Sequence, residues 1–234
     1  MWDNTPLLRS IANALFGLSL VLVLYGAVRY VLQLPVFPLR TVELTSAPQR
    51  VSTELLERVV HEQVSGNFFT VDLERTRQAF EQLPWVRKVS VRRKFPWILE
   101  VAIEEQVALA SWNGTALVNT YGEIFTALTE QKLPVFIGQP DSSQTVTQLY
   151  GELNAMLQPV RQQIVQISLS PRFAWQVRLD NGMVLELGRE QMQQRLARFV
   201  AVYPYSLAVL EHPSGHVDLR YRNGFAAYLP GGSV

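Results

Sequence analysis

Three histidines, His61, His212 and His216, are the side chains of this 234-residue sequence best suited to hold a metal or move a proton near neutral pH. Their spacing supports neither. His61 falls in an amphipathic run with no second histidine four residues away, and His212 and His216 flank Pro213-Ser214-Gly215, which reads as a loop. Each therefore reads as a solvent-facing histidine. Glu104-Glu105 is the nearest approach to a carboxylate pair, but adjacent strand residues point to opposite faces and cannot share one substrate. Neither a Gly-x-x-x-x-Gly-Lys phosphate loop nor a Gly-x-Ser-x-Gly nucleophile elbow occurs. The chain has no cysteine, which removes disulfides, thiol catalysis and Cys-ligated zinc or iron–sulfur centres. The expectation is a protein that is no enzyme and uses no cofactor and no metal.

Charge points the same way. With 21 Lys and Arg against 20 Asp and Glu there is no global basic field for nucleic acid. The local cluster Arg87, Lys88, Arg92, Arg93 and Lys94 has three readings: a solvated face, a surface for a protein partner, or a contact for anionic lipid or nucleic acid. Strand alternation turns Lys88 and Arg92 away from Val89 and Val91, as a solvated face requires.

The elements that position these residues begin with an anchor. From Ser10 to Val28 the sequence carries no charge. At about 1.5 Å per helical residue that run is about 28 Å long, close to a hydrocarbon core of roughly 30 Å. A cleaved signal peptide would have a shorter apolar region and a small-x-small site; here the run leads into Arg29-Tyr30-Val31. We read a transmembrane helix at 10–32 behind a cytoplasmic tail at 1–9. The positive-inside count is indecisive, so the exported orientation of the C-terminal bulk rests on its size alone.

After the anchor, Leu39, Val42 and Leu44 alternate with charge as a strand. Ser52 or Thr53 then caps a helix with Leu55, Leu56, Val59, Val60 and Val64 on one face, broken at Gly66-Asn67. Asp72 caps a second helix through Leu73, Phe80 and Leu83, ended by Pro84. Two alternating strands follow around a turn at Lys94-Phe95-Pro96. From about Gln106 the sequence reads as β, with Asn-Gly turn signals at Asn113-Gly114, Asn181-Gly182 and Asn223-Gly224 and amphipathic helices through Val146–Val160 and Met192–Val200. The expected fold class is α+β: one transmembrane helix, a β-α-α-β-β domain at 37–105, a domain of antiparallel strands with two packing helices at 106–230, and a tail at 231–234.

The run Leu83-Pro84-Trp85-Val86-Arg87-Lys88-Val89-Ser90-Val91-Arg92-Arg93, then Phe95-Pro96 and Trp112-Asn113, resembles the POTRA domain of the bacterial cell-division family FtsQ, called DivIB in some lineages. Trp175-Gln176-Val177-Arg178-Leu179, Leu187-Gly188-Arg189, Arg195 to Val200 and Val217-Asp218-Leu219-Arg220-Tyr221 resemble the same family. The resemblance implies a bitopic inner-membrane scaffold of the division septum, with FtsB and FtsL among its partners and its C-terminal domains in the periplasm. A POTRA-bearing protein of secretion or envelope assembly, binding client polypeptides, is the alternative, and an anchored periplasmic hydrolase a more distant one.

A last strand following Asn223-Gly224 would lie at a sheet edge able to pair with another chain, unless a further segment covers it; the residues leave both open. The resemblance favours the open edge, because in the family the C-terminal strand receives FtsB. The family pattern has a tyrosine, a serine two residues on, then a glycine, and a tryptophan five residues beyond. Here Tyr221 and Gly224 are kept, Asn223 stands for the serine and Leu229 for the tryptophan. Arg172 matches a family arginine three residues before Trp175. The implied partner-binding set is Arg172, Arg220, Tyr221, Asn223, Gly224, Phe225, Ala226, Tyr228 and Leu229, with Phe225 or Tyr228 as substitute aromatic anchor. The topology has a direct check. A periplasm-active reporter fused after Val234 is expected to be active and a cytoplasm-active one silent; the reverse would overturn the orientation.

Overall fold

The computed structural model describes residues 5–34, 38–207, 215–222 and 224–228, which separate into two compact units, Met1–Glu105 and Gln106–Val234. The first unit opens with α1 (Thr5–Gln33), whose stretch Leu8–Leu32 is long and apolar enough to cross a membrane. Its apolar side chains are exposed on every side, Phe16 to 74% and Val23 to 68%. A helix apolar all round gains nothing from water and needs a hydrocarbon surrounding.

Beyond it the order is β1 (Thr41–Leu44), α2 (Thr53–Gln63), α3 (Leu73–Glu81), β2 (Val86–Lys94) and β3 (Ile98–Glu105), with the three strands in the order β1-β3-β2. β1 runs parallel to β3, and β2 is antiparallel to it. The helix starts follow from their caps: the Ser52 hydroxyl accepts the Leu55 N–H at 3.3 Å, and the Asp72 carboxylate accepts that of Arg75 at 3.0 Å. Both helices cover one face of the small sheet. Leu56, Phe80, Val86, Val89, Leu99 and Val101 are the centre of that core, with Phe80 fully buried. The sequence rule of strict alternation is broken at the start of β2, where a register shift between Val86 and Lys88 turns both Val86 and Val89 inward.

The two glutamates at the end of β3 diverge. Glu104 pairs with the Arg87 guanidinium at 2.7 Å. Glu105 instead accepts three backbone N–H groups, from Gln49, Arg50 and Val51, at 2.8–3.0 Å. That loop is held from its other side as well. Pro84-Trp85 forms a turn closed by the Val86 N–H to the Leu83 carbonyl, Trp85 sits at φ 69°, and the Arg50 guanidinium lies 4.5 Å from the centre of its ring.

The second unit is a nine-stranded sheet in the order β12-β11-β10-β9-β8-β7-β4-β5-β6. Its strands are β4 (Ala108–Trp112), β5 (Ala116–Asn119), β6 (Ile124–Phe125), β7 (Val135–Ile137), β8 (Ile164–Leu169), β9 (Trp175–Leu179), β10 (Val184–Gly188), β11 (His216–Asp218) and β12 (Ala226–Tyr228). Helices α4 (Ser143–Leu157) and α5 (Met192–Val202) touch each other and pack on one face, burying Val146, Leu149, Leu153, Leu157, Leu196 and Phe199 against Ile167, Val177, Leu185 and Val217.

This sheet departs from the expected antiparallel one. Three neighbouring pairs, β4 with β7, β7 with β8 and β10 with β11, are parallel. For two of the three the reason is connectivity: α4 carries the chain from β7 to β8 and α5 from β10 toward β11, and a helical crossover returns the next strand in the same direction, while β4 reaches β7 by way of β5 and β6.

The three Asn-Gly pairs also resolve differently. Asn113 and Gly114 both have positive φ within a turn closed by Thr115 N–H to Trp112 C=O, as type I′ demands. At Asn181-Gly182 only the glycine is left-handed, and the turn is a three-residue loop closed from Leu179 to Met183. Past Asp218 the pairing of Asp218 with Ala226 leaves seven residues between the strands, so no two-residue hairpin forms there.

Burial alone would raise the Glu105 carboxyl, yet the N–H groups of Arg50, Gln49 and Val51 and the Arg50 charge hold it below the ordinary carboxylate range. A depressed value means that the stabilisation is complete above the unfolded carboxylate pKa and is lost as pH falls through the folded one. Glu105→Ala is expected to cost about 2 kcal/mol at neutral pH, and to flatten the acid-side loss of stability. Hydrogen exchange in the full chain should show the amides of 49–51 losing protection. Unchanged protection would rule out this role for Glu105.

Candidate partner-binding edge

The chain reaches the edge of the larger sheet through short, tightly specified pieces. β11 lies beside β10 with Val217 facing the core, fully buried, and turns His216 and Asp218 to the opposite face. β12 pairs with it antiparallel, His216 opposite Tyr228 and Asp218 opposite Ala226. Among the described residues no strand pairs with the outer side of β12.

Asp218 is buried except for a few per cent of its surface, and a buried carboxylate needs partners. It takes two bonds from the Arg220 guanidinium, at 2.9 and 2.6 Å, and one from the Arg220 N–H at 3.0 Å. The guanidinium is the main reason that the Asp218 carboxyl lies below its ordinary value, and the carboxylate in turn raises Arg220. A fork of two bonds fixes the plane of the Arg220 side chain.

That plane is set against Gly188. The end of β10 is bulged, Gly188 has φ +75°, and a Cβ there would lie 2.7 Å from the Arg195 Nη1 and 3.2 Å from the Arg220 Cγ. Arg195 reaches over from α5 to donate to the Leu187 carbonyl at 2.5 Å. Arg172 stands on the β8–β9 turn, which the Phe173 N–H closes onto the Ser170 carbonyl at 2.9 Å. The fold brings Arg172, Arg189, Arg195 and Arg220 to one open cavity of about 420 Å³ together with Glu190. Asp218 pairs with Arg220, which leaves Arg172, Arg189 and Arg195 against Glu190 and a net positive charge for an anion to meet.

Next to it, Tyr221, Arg222, Gly224, Phe225 and Ala226 line a shallower cavity of about 470 Å³. Arg198 braces this stretch by donating to the carbonyls of Tyr221 and Arg222. Phe225 is turned toward its own domain, edge-on to Phe199 with centroids 6.1 Å apart, which leaves Tyr221 at 55% and Tyr228 at 64% exposure as the aromatics presented outward. The Tyr228 ring lies 6.4 Å from that of His216, and His216 Nε2 is 3.6 Å from Glu186. Asn223, Leu229 and His212 lie outside the described residues. His61 is exposed on α2.

The comparisons with known proteins agree from end to end. Residues 37–106 match the family described as POTRA domain, FtsQ-type, and residues 110–220 match Cell division protein FtsQ/DivIB, C-terminal. Proteins named Cell division protein FtsQ include one from Nitrosospira multiformis, 43% identical over 97% of this chain and 98% of its own length. Another from Bordetella pertussis is 38% identical over 98% and 93%, and one from Burkholderia pseudomallei 37% identical over 99% and 95%. The chain belongs to the FtsQ/DivIB family. It is a single-pass membrane protein of cell division, with an FtsQ-type POTRA domain following its apolar helix.

Within this family member, the residues singled out from the sequence divide into an arginine group, Arg172 and Arg220, and an edge group, Tyr221 to Tyr228. Sequence reasoning missed Arg189 and Arg195 as neighbours of Arg172, and Phe173, which is 67% exposed at φ 60° on the same turn. The Leu187-Gly188-Arg189 and Arg195 segments carried the family resemblance, but nothing in their spacing placed them beside Arg220.

Gly188→Ala is expected to destabilise the domain by about 1–2 kcal/mol, because an alanine in the left-handed region is strained and its Cβ displaces Arg195 and Arg220. Denaturant unfolding of the full chain in detergent measures it. An unchanged midpoint would mean that the bulge relaxes freely.

Proposed function

We propose that this protein is a non-enzymatic scaffold of the division septum that takes a strand of an FtsB-like partner, itself joined to an FtsL-like one, onto β12. The observation that carries the reading is the edge position of β12, in a domain where Arg172 and Arg220 line one cavity. Main-chain N–H and C=O groups on the outer side of β12 would supply affinity by β-augmentation. The arginine cavity would take a carboxylate that follows the added strand, and Tyr221 and Tyr228 would pack its side chains.

This reading also proposes that the N-terminus is cytoplasmic, that the apolar helix spans the inner membrane, and that the POTRA domain and the nine-stranded domain are periplasmic. No cofactor or small-molecule substrate enters it. Three short features then share the work: the strand edge orients the partner, the cations choose its charge and the tyrosines anchor it.

Tyr221→Ala, and separately Ala226→Glu, should each weaken binding of the FtsB-like partner by more than tenfold, about 1.4 kcal/mol. Titration of the full chain in nanodiscs measures this, with membrane insertion and unfolding midpoint as controls. Unchanged affinity in both variants would move the interface off β12. Depletion in cells should give filaments that fail to septate; normal septation with envelope or secretion defects would favour a client-binding role.

A further inference from the structure

β1 and β3 are parallel, with Thr41 opposite Ile98, and the Arg40 N–H donates to the Trp97 carbonyl at 3.1 Å. The turn between β2 and β3, residues 95–97, therefore lies level with the start of β1, where the chain arrives from the apolar helix. A second segment is tied to that same place. Asn67, 7% exposed, donates from Nδ2 to the carbonyls of Leu32, at 2.7 Å, and Leu34, at 3.0 Å. Its Oδ1 accepts the N–H groups of Phe69 and Thr70, both at 2.9 Å, and the Thr70 hydroxyl at 3.0 Å. Leu32 is the last residue of the membrane-crossing stretch. One buried amide thus fastens the Asn67–Thr70 turn to the end of the span.

At this end the surface is apolar where a water-facing surface would be polar. Phe95 is 77% exposed and Phe69 41%. They are held out by Phe68, buried between them, which meets Phe69 edge-on at 5.2 Å and Phe95 at 6.2 Å. Around these rings are Arg40, stacked over Trp97 at 4.9 Å, Arg93, which donates to the carbonyls of Phe69 and Val71, and Lys94, which pairs with Glu43 at 3.0 Å. Aromatic rings flanked by long cationic side chains, next to a membrane helix, match the polarity of the headgroup layer: rings at its depth, cations on its phosphates.

We propose that this POTRA tip, with Phe69 and Phe95 as the inserted rings and Arg40, Arg93 and Lys94 around them, beds into the headgroup layer of an anionic phospholipid bilayer beside the emerging helix. The occupant follows from continuity with the span and from the sign of the charge. The contact holds the POTRA sheet at a set height and orientation on the membrane, independently of whether β12 receives a partner.

The chain has no cysteine, so single reporters can be placed cleanly. Phe95→Cys, Phe69→Cys and, as reference, Lys88→Cys are each spin-labelled in the full chain in nanodiscs, without any partner. Lys88 lies six residues back along β2, about 20 Å from the tip. In discs containing phosphatidylglycerol, the oxygen-to-nickel-chelate accessibility ratio at 95 and 69 should exceed that at 88 by at least threefold. Arg40→Glu with Lys94→Glu, or discs of phosphatidylcholine alone, should bring it down toward the value at 88. Equal ratios at 95, 69 and 88 in anionic discs would overturn the proposal. So would immersion indifferent to lipid charge, or labels at 95 and 69 that become immobilised only when another division protein is added, which would make the tip a protein-docking surface.

Discussion

A sheet buried on one face only has to recruit its helices from the connections between its own strands, and in the larger unit two such connections, α4 and α5, do that covering together with Tyr203 and Leu207 just after α5. Each helix joins parallel strands and lies over them, with Leu153 and Leu157 on one and Leu196 and Phe199 on the other removed completely from water. Burying a side chain of that size contributes about 1.5–3 kcal/mol, so the helices hold their places firmly. After α5, β11 lies parallel beside β10, and β12 pairs antiparallel on the far side of β11. Among the described residues β12 is thus the outermost strand on this side of the sheet.

The two edges of this sheet are handled alike. β6 has two residues and β12 three, and a short edge offers few unpaired groups to an arbitrary strand. Next to β12, however, the polar face is organised: Asp218 fixes Arg220, Gly188 leaves the space for it, and Arg198 grips the carbonyls of Tyr221 and Arg222. Specific order beside a short open edge favours one partner over many, since the backbone bonds alone are too few to hold a strand lacking the right charge.

Local rules read well where the decisive partner is near in sequence. Ser52 and Asp72 act within three residues, and the faces of α2, α3, α4 and α5 follow from helical spacing. The same reasoning failed for strand direction, because alternation is identical in parallel and antiparallel strands and only the crossovers decide. It also failed for turns: three residues separate the paired positions at both 113–115 and 180–182, yet Asn113 and Gly114 are both left-handed whereas of Asn181-Gly182 only the glycine is. Asn67 was legible only as a helix breaker. Its amide acts across 33 and 35 residues, on carbonyls whose need for a partner exists only once α1 has ended there.

The proposed partner edge rests on family resemblance rather than on local sequence physics, and the fold bears on how the differences from the family pattern would act there. In the proposed β-augmentation the affinity resides in main-chain groups, which any residue but proline supplies, so Asn223 in place of serine leaves that term untouched. The leucine at 229 removes a large anchor, yet Tyr228, one residue earlier, presents an exposed ring on β12 facing His216. Side chains beside so short an edge supply the anchor and the charge that its few backbone bonds leave wanting. The positions least free to vary are those that shape the backbone and its charge: Gly188, whose φ only glycine takes without strain, and Asp218, without which Arg220 loses the fork that aims it.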